Sequence, residues 1–540
     1  MRVHKLQSMN LFQAIFDRES PANPAIVFES RQISYDELRT QTFSMAKAIT
    51  ALSVPKTERV AILLHDSPEF IEAFIAICSL GAIAVPINMA LRVDEQRTIL
   101  SDCSAGTAII EGDLCNTLLT DALEKLRHLR NLVIVQRNNS QNSGETEANT
   151  FKLVEHWRTL KLNVFWLHEL LDQDTSSDAV EFATPAPDEP AFILYTSGST
   201  GEPKGVVHRQ ADIFCTNETF CRQVLQLTPH DRLFSSSRLP FAYGLGNSFS
   251  FPLLNRVTTI LCREKPVPDV ISRILVDARP TIFFGVPVIF NLLLEHQRRE
   301  QTLDCSSLRL CVSAGEALPA QLGEEWERTF RVKLLDGIGS TEMLHMFMSN
   351  HENDVRYGSS GKVLDGYEGR LLDENGEPAP ENVEGNLWVR GASAALGYWG
   401  RPEESARTFV DGWVRTGDLY RCDSEGYWFH VGRSDDCFKS SGRWVSPVEV
   451  EGVLLRHAKI GRAAVVEDFD SDHLPCACAF VVNQDVESDL AQLERELRDL
   501  AAAALPRFKQ PRKYIFVSEL PYTATGKVQR FKLRQELRRR

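Results

Sequence analysis

The chain predicts an α/β fold in three parts: a large N-terminal region of α/β subdomains built on parallel sheets, a smaller strand-rich subdomain, and a small α+β unit at the end. Three observations carry this. Short apolar runs alternate with apolar-periodic helical stretches, the pattern of crossover units. Several of these runs end in glycine-bearing turns, which is where open α/β sheets bind ligands. After about residue 385 the texture changes to aromatic and β-branched runs broken by glycine.

Taken in order, residues 60–64, 67–80 and 82–86 read as strand, helix and strand. The strand candidate 191–194 runs into YTSGSTGEPKG at 195–205. Residues 281–285 lead into a helical 288–296, 308–312 end at Ser-Ala-Gly-Glu, and 332–335 end at DGIGSTE. Residues 136–150 are polar and read as a mobile surface loop. Strands at 387–391 and 427–432 form the strand-rich part. The last unit follows with helices at 446–456 and 489–504 and strands at 463–466 and 476–482. No tandem repeat of fixed period is present.

A chain of 540 residues, 43% hydrophobic and 25% charged, can bury several cores and form more than one domain. A formal charge of −13 argues against a nucleic-acid surface. The seven Lys and Arg against one Glu in residues 527–540 read as a solvated helix face, with Lys527 set apart below. Twelve cysteines show no CxxC pair or metal-like spacing, so they read as reduced core thiols, which suits the cytoplasm. No window is apolar and long enough to span a membrane, and the first residues lack a signal-peptide core.

The loop at 195–205 joins three glycines, which tolerate close backbone approach, to the donors of Thr196, Ser197, Ser199, Thr200 and Lys204. Such a loop can wrap a polyphosphate, although it lacks the Gly-Lys-Ser/Thr ending of a Walker loop. Thr341 and Glu342 follow a glycine turn, where a hydroxyl can meet a phosphate oxygen and a carboxylate can hold a hard cation. Asp418 sits in a Thr-Gly-Asp turn, where a lone aspartate is ordinarily a cap.

Five stretches occur in order: YTSGSTGEPKG at 195–205, DGIGSTE at 336–342, RTGDL at 415–419, GRSDDCFKSSGRWVSPVEVE at 432–451 and TATGKVQR at 523–530. Together they resemble the acyl-adenylate-forming superfamily of acyl- and aryl-CoA ligases, carrier-loading adenylation domains and luciferases. The resemblance spans roughly residues 25 to 535. It implies ATP-dependent activation of a carboxylic acid with Mg²⁺ held by Glu342, and a thiol acceptor in the second step. It also implies an N-terminal domain over 1–432, a hinge at 433–435 with Asp435 as pivot, and a mobile C-terminal domain over 436–540.

On the same resemblance, Thr196, Ser197, Gly198, Ser199, Thr200, Lys204, Ala314, Gly315, Glu316, Asp336, Gly337, Ile338, Asp418 and Arg433 would surround the nucleotide. Lys527 would bridge carboxylate and α-phosphate, with Thr341 and Glu342 beside it. Ser441, Gly442 and Trp444 would line the thiol tunnel, although a packing tryptophan is an equal reading of Trp444.

The segments 240–252, 284–290, 336–350 and 441–451 look like benzoate-type CoA ligases more than fatty-acyl or amino-acid activating members. In that likeness Ala242 and Tyr243 flank an aromatic ring, Gly337, Ile338 and Gly339 form a flat wall, and His345 closes the pocket. The expected reaction joins an aromatic acid to coenzyme A. The alternative is a free-standing enzyme that loads the aryl group onto a carrier protein acting in trans.

Overall fold

The computed structural model describes residues 9–119, 126–136, 157, 162–172, 180–197, 202–470, 474–484, 489–522 and 528–539. The expected loop at 136–150 falls outside them except for Gln136. The chain divides into two compact units. The first holds Met1–Glu368 and Val389–Val414, and the second holds Gly369–Trp388 and Arg415–Arg540.

Among the described residues, the first unit carries two large sheets. One has eight strands in the order Gly397–Tyr398, Pro203–His208, Phe192–Ser197, Ile83–Pro86, Arg59–Leu63, Thr107–Glu111, Asn131–Val135 and Asn163–Trp166. Its pairings are parallel from Phe192–Ser197 onward and antiparallel before it. The other has nine, in the order Lys362–Val363, Met346–Ser349, Lys333–Gly339, Leu310–Ser313, Ile282–Gly285, Arg232–Ser235, Thr258–Leu261, Ile26–Phe28 and Arg31–Ile33. It too is parallel at its centre and antiparallel at its ends.

Helix Pro68–Ser79 shows why the sequence folds this way. Ser67 caps it by accepting from the Phe70 backbone, and Pro68 presets its first turn. Phe70, Ile71, Phe74, Ile75 and Ile77 cover one side of the helix and Ala73 and Ala76 the other, and all are 0% exposed. A helix apolar on every side must be surrounded by protein. One core accordingly joins it to Val60, Ile62 and Phe192 of one sheet and to Ile26, Phe28 and Leu261 of the other.

Two strands run further than their apolar runs suggest. Phe192–Ser197 continues through the Thr-Ser of the expected turn, because Pro203–His208 folds back beside it and satisfies its backbone. Lys333–Gly339 continues through Asp336 to Gly339, because Met346–Ser349 returns antiparallel beside it.

In the second unit, the strand residues Asp418–Cys422 pair antiparallel with Trp428–Arg433. Strands Ile460–Phe469, Pro475–Asn483 and Lys513–Phe516 form a three-stranded sheet, covered by helices Pro447–Leu454 and Leu490–Ala504 through Val450, Leu454, Leu493 and Leu497. Ser446 and Asp489 cap those helices, as their positions before apolar-periodic runs suggest.

Candidate active site

Strand Phe192–Ser197 sets Thr196 opposite Lys204 and Ser197 opposite Pro203, so the arms of the glycine-rich loop are a hairpin. Gly198, Ser199 and Thr200 lie outside the described residues. The Lys204 ammonium pairs with the Glu404 carboxylate and sits 5.6 Å from the centre of the Tyr398 ring. Arg401 reaches Glu404 at 3.3 Å, and the Lys204 bond, with help from Arg401, holds the Glu404 carboxyl below its ordinary range. Tyr398 donates its hydroxyl to Glu342 Oε1 at 2.8 Å. Tyr398 and Glu404 are absent from the motifs. Their signal is a short aromatic strand, Gly397–Tyr398, whose pairing to Val206 and Val207 only the fold reveals.

Thr341 and Glu342 form one turn of 3-10 helix, Thr341–Met343, capped by the Ser340 side chain. Each carbonyl of this turn has a donor from a distant segment. His208 Nε2 lies 2.8 Å from the Thr341 oxygen, Ala395 N donates to Glu342 O at 2.8 Å, and Ser393 Oγ donates to Met343 O at 2.9 Å. Leu344 leaves the turn at φ 64°, a left-handed conformation that a leucine holds only where its surroundings impose it. The turn is therefore pre-shaped.

Ala314, Gly315 and Glu316 follow strand Leu310–Ser313, and Gly315 turns the chain at φ 90°. Asp336 faces Ser313 across the sheet, is 3% exposed, and accepts from Leu318 N at 3.4 Å through Oδ2. Burial raises its carboxyl well above the ordinary range.

The structure brings Tyr243 and His345 together, with ring centres 5.5 Å apart. His345 also packs on Phe220 and Phe251 at 4.8 and 4.7 Å, and its Nε2 faces Asn247 Oδ1 at 3.2 Å. Burial pushes its pKa down to about 3, so the ring is neutral. Ala242 opens the short helix Ala242–Leu245 that carries Tyr243, whose hydroxyl donates to Val312 O at 3.0 Å. The wall glycines also have a packing reason. A Cβ on Gly337 would meet Met348 O at 2.6 Å, and one on Gly339 would meet His345 O at 2.5 Å. Ile338 lies between them, opposite Met348.

In the second unit, Asp418 Oδ1 lies 3.2 Å from Arg433 Nη1 and 3.7 Å from His430 Nε2. Burial opposes its charge, yet His430 and Arg433 bring the carboxyl below its usual value. Gly417 has φ 75°, and a Cβ there would meet Arg433 Nη2 at 2.6 Å. Asp435 pairs with Arg433 at 3.5 Å. Ser441 and Gly442, both at positive φ, close a two-residue hairpin between Phe438–Ser440 and Arg443–Val445. Lys439 Nζ covers the Trp444 ring at 5.1 Å. Lys527 lies outside the described residues, which resume at Val528, bridged to Tyr522.

Among the described residues no cluster of three metal-ligating side chains exists. A magnesium ion suits such a site, since it keeps water and takes one or two carboxylates plus phosphate oxygens. Glu342 is half-buried with one oxygen engaged by Tyr398, which fits that demand.

Comparison with known proteins identifies the family. Residues 13–399 match the AMP-binding enzyme family, and 449–527 match the AMP-binding enzyme C-terminal domain. The chain is 38% identical to a benzoate–CoA ligase of Thauera aromatica, over 93% of this chain and 90% of that protein. An anthranilate CoA ligase solved with anthranoyl-AMP superposes with a TM-score of 0.88 at 33% identity, covering 99% of each chain. A benzoate CoA ligase from Burkholderia xenovorans superposes with a TM-score of 0.83 at 35% identity, covering 97% of this chain and 100% of that one. The chain belongs to the AMP-binding enzyme family.

Proposed function

We propose that this chain activates an aromatic, benzoate-type carboxylic acid with ATP and transfers the acyl group to coenzyme A. A carboxylate oxygen attacks the α-phosphorus, the bond to the β-phosphate oxygen breaks, and pyrophosphate leaves. The thiolate then attacks the acyl carbon and AMP departs with the former carboxylate oxygen. Catalysis of the first step is largely the positioning of two anions and the neutralisation of their charge.

The observation that carries this reading is the pre-shaped Thr341–Glu342 turn, linked through Tyr398 to the lysine of the glycine-rich hairpin. Thr341 Oγ donates to an α-phosphate oxygen, Lys204 trades Glu404 for phosphate, and Asp418 accepts from the ribose hydroxyls. Glu342 would hold magnesium, which would supply neutralisation of phosphate charge. Lys527 bridges the two reacting anions, and Asp435 serves as the pivot of a two-orientation cycle. The neutral His345 with Tyr243 suits a planar, uncharged ring.

A pyrophosphate-release screen over benzoate, hydroxybenzoates, aminobenzoates, phenylacetate and short fatty acids tests the assignment. Activity on the aromatic acids is expected, and activity confined to fatty acids overturns it. Acyl transfer to a pantetheinylated carrier with none to free coenzyme A would replace the second half-reaction with carrier loading.

A further inference from the structure

We infer that His208, oriented by Asp212, is a positioning residue for adenylate formation: its Nε2–H holds the Thr341 carbonyl and so sets the Thr341–Glu342 turn against the strand that carries Lys204. The inference rests on the adenylate-forming reading above.

His208 and Asp212 are each 0% exposed, and the imidazole stacks on Phe192 with centres 5.2 Å apart. Both ring nitrogens face oxygen: Nε2 the Thr341 carbonyl at 2.8 Å, and Nδ1 the Asp212 carboxylate at 2.8 Å. A carbonyl only accepts, so Nε2 carries the hydrogen in that bond. Asp212 is itself held by the backbone N–H of Arg209 at 3.0 Å and its Nε at 2.9 Å.

Arg209 donates onward to the carbonyls of Ala392 and Ala394 at 3.0 and 2.8 Å, and the adjoining Ala395 N–H holds Glu342 O. The contacts close a ring from His208 through Thr341, Glu342, Ala395, Arg209 and Asp212 back to His208. A buried polar pair is not a cheap way to pack a core, since apolar residues of similar volume usually do as well. Its return here is positional. Strand Pro203–His208 bears Lys204 near one end and His208 at the other, so the hairpin and the turn share one rigid element.

The test compares His208→Gln with His208→Asn. The glutamine amide nitrogen reaches the place of Nε2, whereas that of asparagine reaches only the place of Nδ1. We expect His208→Gln to keep the kcat of pyrophosphate release within about threefold, and His208→Asn to lose about 30-fold at unchanged KM for the acid, the scale of a lost buried positioning bond. MgATP should raise the melting temperature of wild type and His208→Gln, and raise that of His208→Asn less.

Equal losses in the two variants, or a loss in His208→Asn matched by a lower melting temperature without ligand, overturn the inference. If His208→Asn does not fold, Asp212→Asn replaces it, with about tenfold lower kcat at constant KM expected and no change overturning. A wild type that binds MgATP but forms no AMP with any acid sinks the functional reading instead, while the MgATP melting shifts still decide on His208.

Discussion

The Thr341–Glu342 turn and the Asp418–Asp435 segment, both proposed to take part in the nucleotide cycle, are built differently. The turn is held through its backbone: each of its three carbonyls has a donor from elsewhere in its unit, and a leucine at φ 64° ends it. The second segment has its backbone in an antiparallel strand pair, but its acidic side chains are held by ion pairs, with Arg433 shared between Asp418 and Asp435. Backbone clamps keep a site at one geometry, whereas partly exposed ion pairs are weak and readily exchanged. One region suits a fixed charge-stabilising centre, and the other suits a segment whose partners change during the cycle.

The largest expected effect lies in the C-terminal segment proposed to move. Lys527→Ala should lower acid-dependent pyrophosphate release by about 100-fold or more, the scale of a lost transition-state contact, while turnover of presynthesised adenylate is spared. Equal loss in both assays would remove the contrast. In the fixed half, Glu342→Gln should cost about 50-fold in adenylation and raise the Mg²⁺ concentration needed, as titration of the half-reaction would show. Asp418→Asn should act mainly on ATP KM, by about tenfold, with kcat little changed, because ribose contacts are made in ground and transition states alike.

Stability sharpens the same comparison. Gly339→Ala presses a Cβ against the His345 carbonyl, a backbone atom that cannot swing away, and should cost about 2 kcal/mol in chemical denaturation. The buried His345 adds a pH signature. Its pKa falls from 6.5 to about 3, so only the unfolded chain takes up this proton between those values. Its contribution to stability is complete above pH 6.5 and is lost as the pH falls toward 3. The fall in melting temperature from pH 7 to 5 should be shallower in His345→Asn. The smallest effect is expected from Glu404→Gln, which frees Lys204 from a competing carboxylate and should tighten ATP binding about threefold by calorimetry.

Much of this was legible in the residues. The apolar runs at 60–64 and 281–285 announce buried parallel strands, since nothing else explains short runs closed by glycine or turn signals. The five ordered stretches, from YTSGSTGEPKG around Lys204 to TATGKVQR, together announced the family and its chemistry. Strand extension through Thr196 and Gly339 was not legible, because polar and glycine residues join a sheet only when a distant strand completes their hydrogen bonds. His208, Asp212, Tyr398 and Glu404 escaped notice for a related reason. His208 and Asp212 are only four residues apart, but the contacts that give these residues their place run up to about two hundred residues in sequence, as between Lys204 and Glu404, which no local pattern encodes.

Helix Pro68–Ser79 also bears on how the protein is made. Part of its apolar surface is covered by Phe192, Phe249 and Leu261, so a ribosome must synthesise nearly half the polypeptide before this segment is fully shielded. Until then it is a sticky nascent stretch that invites chaperone capture. Fragments ending before residue 190 should therefore be insoluble, and the first crossover unit cannot be excised as a free-standing module.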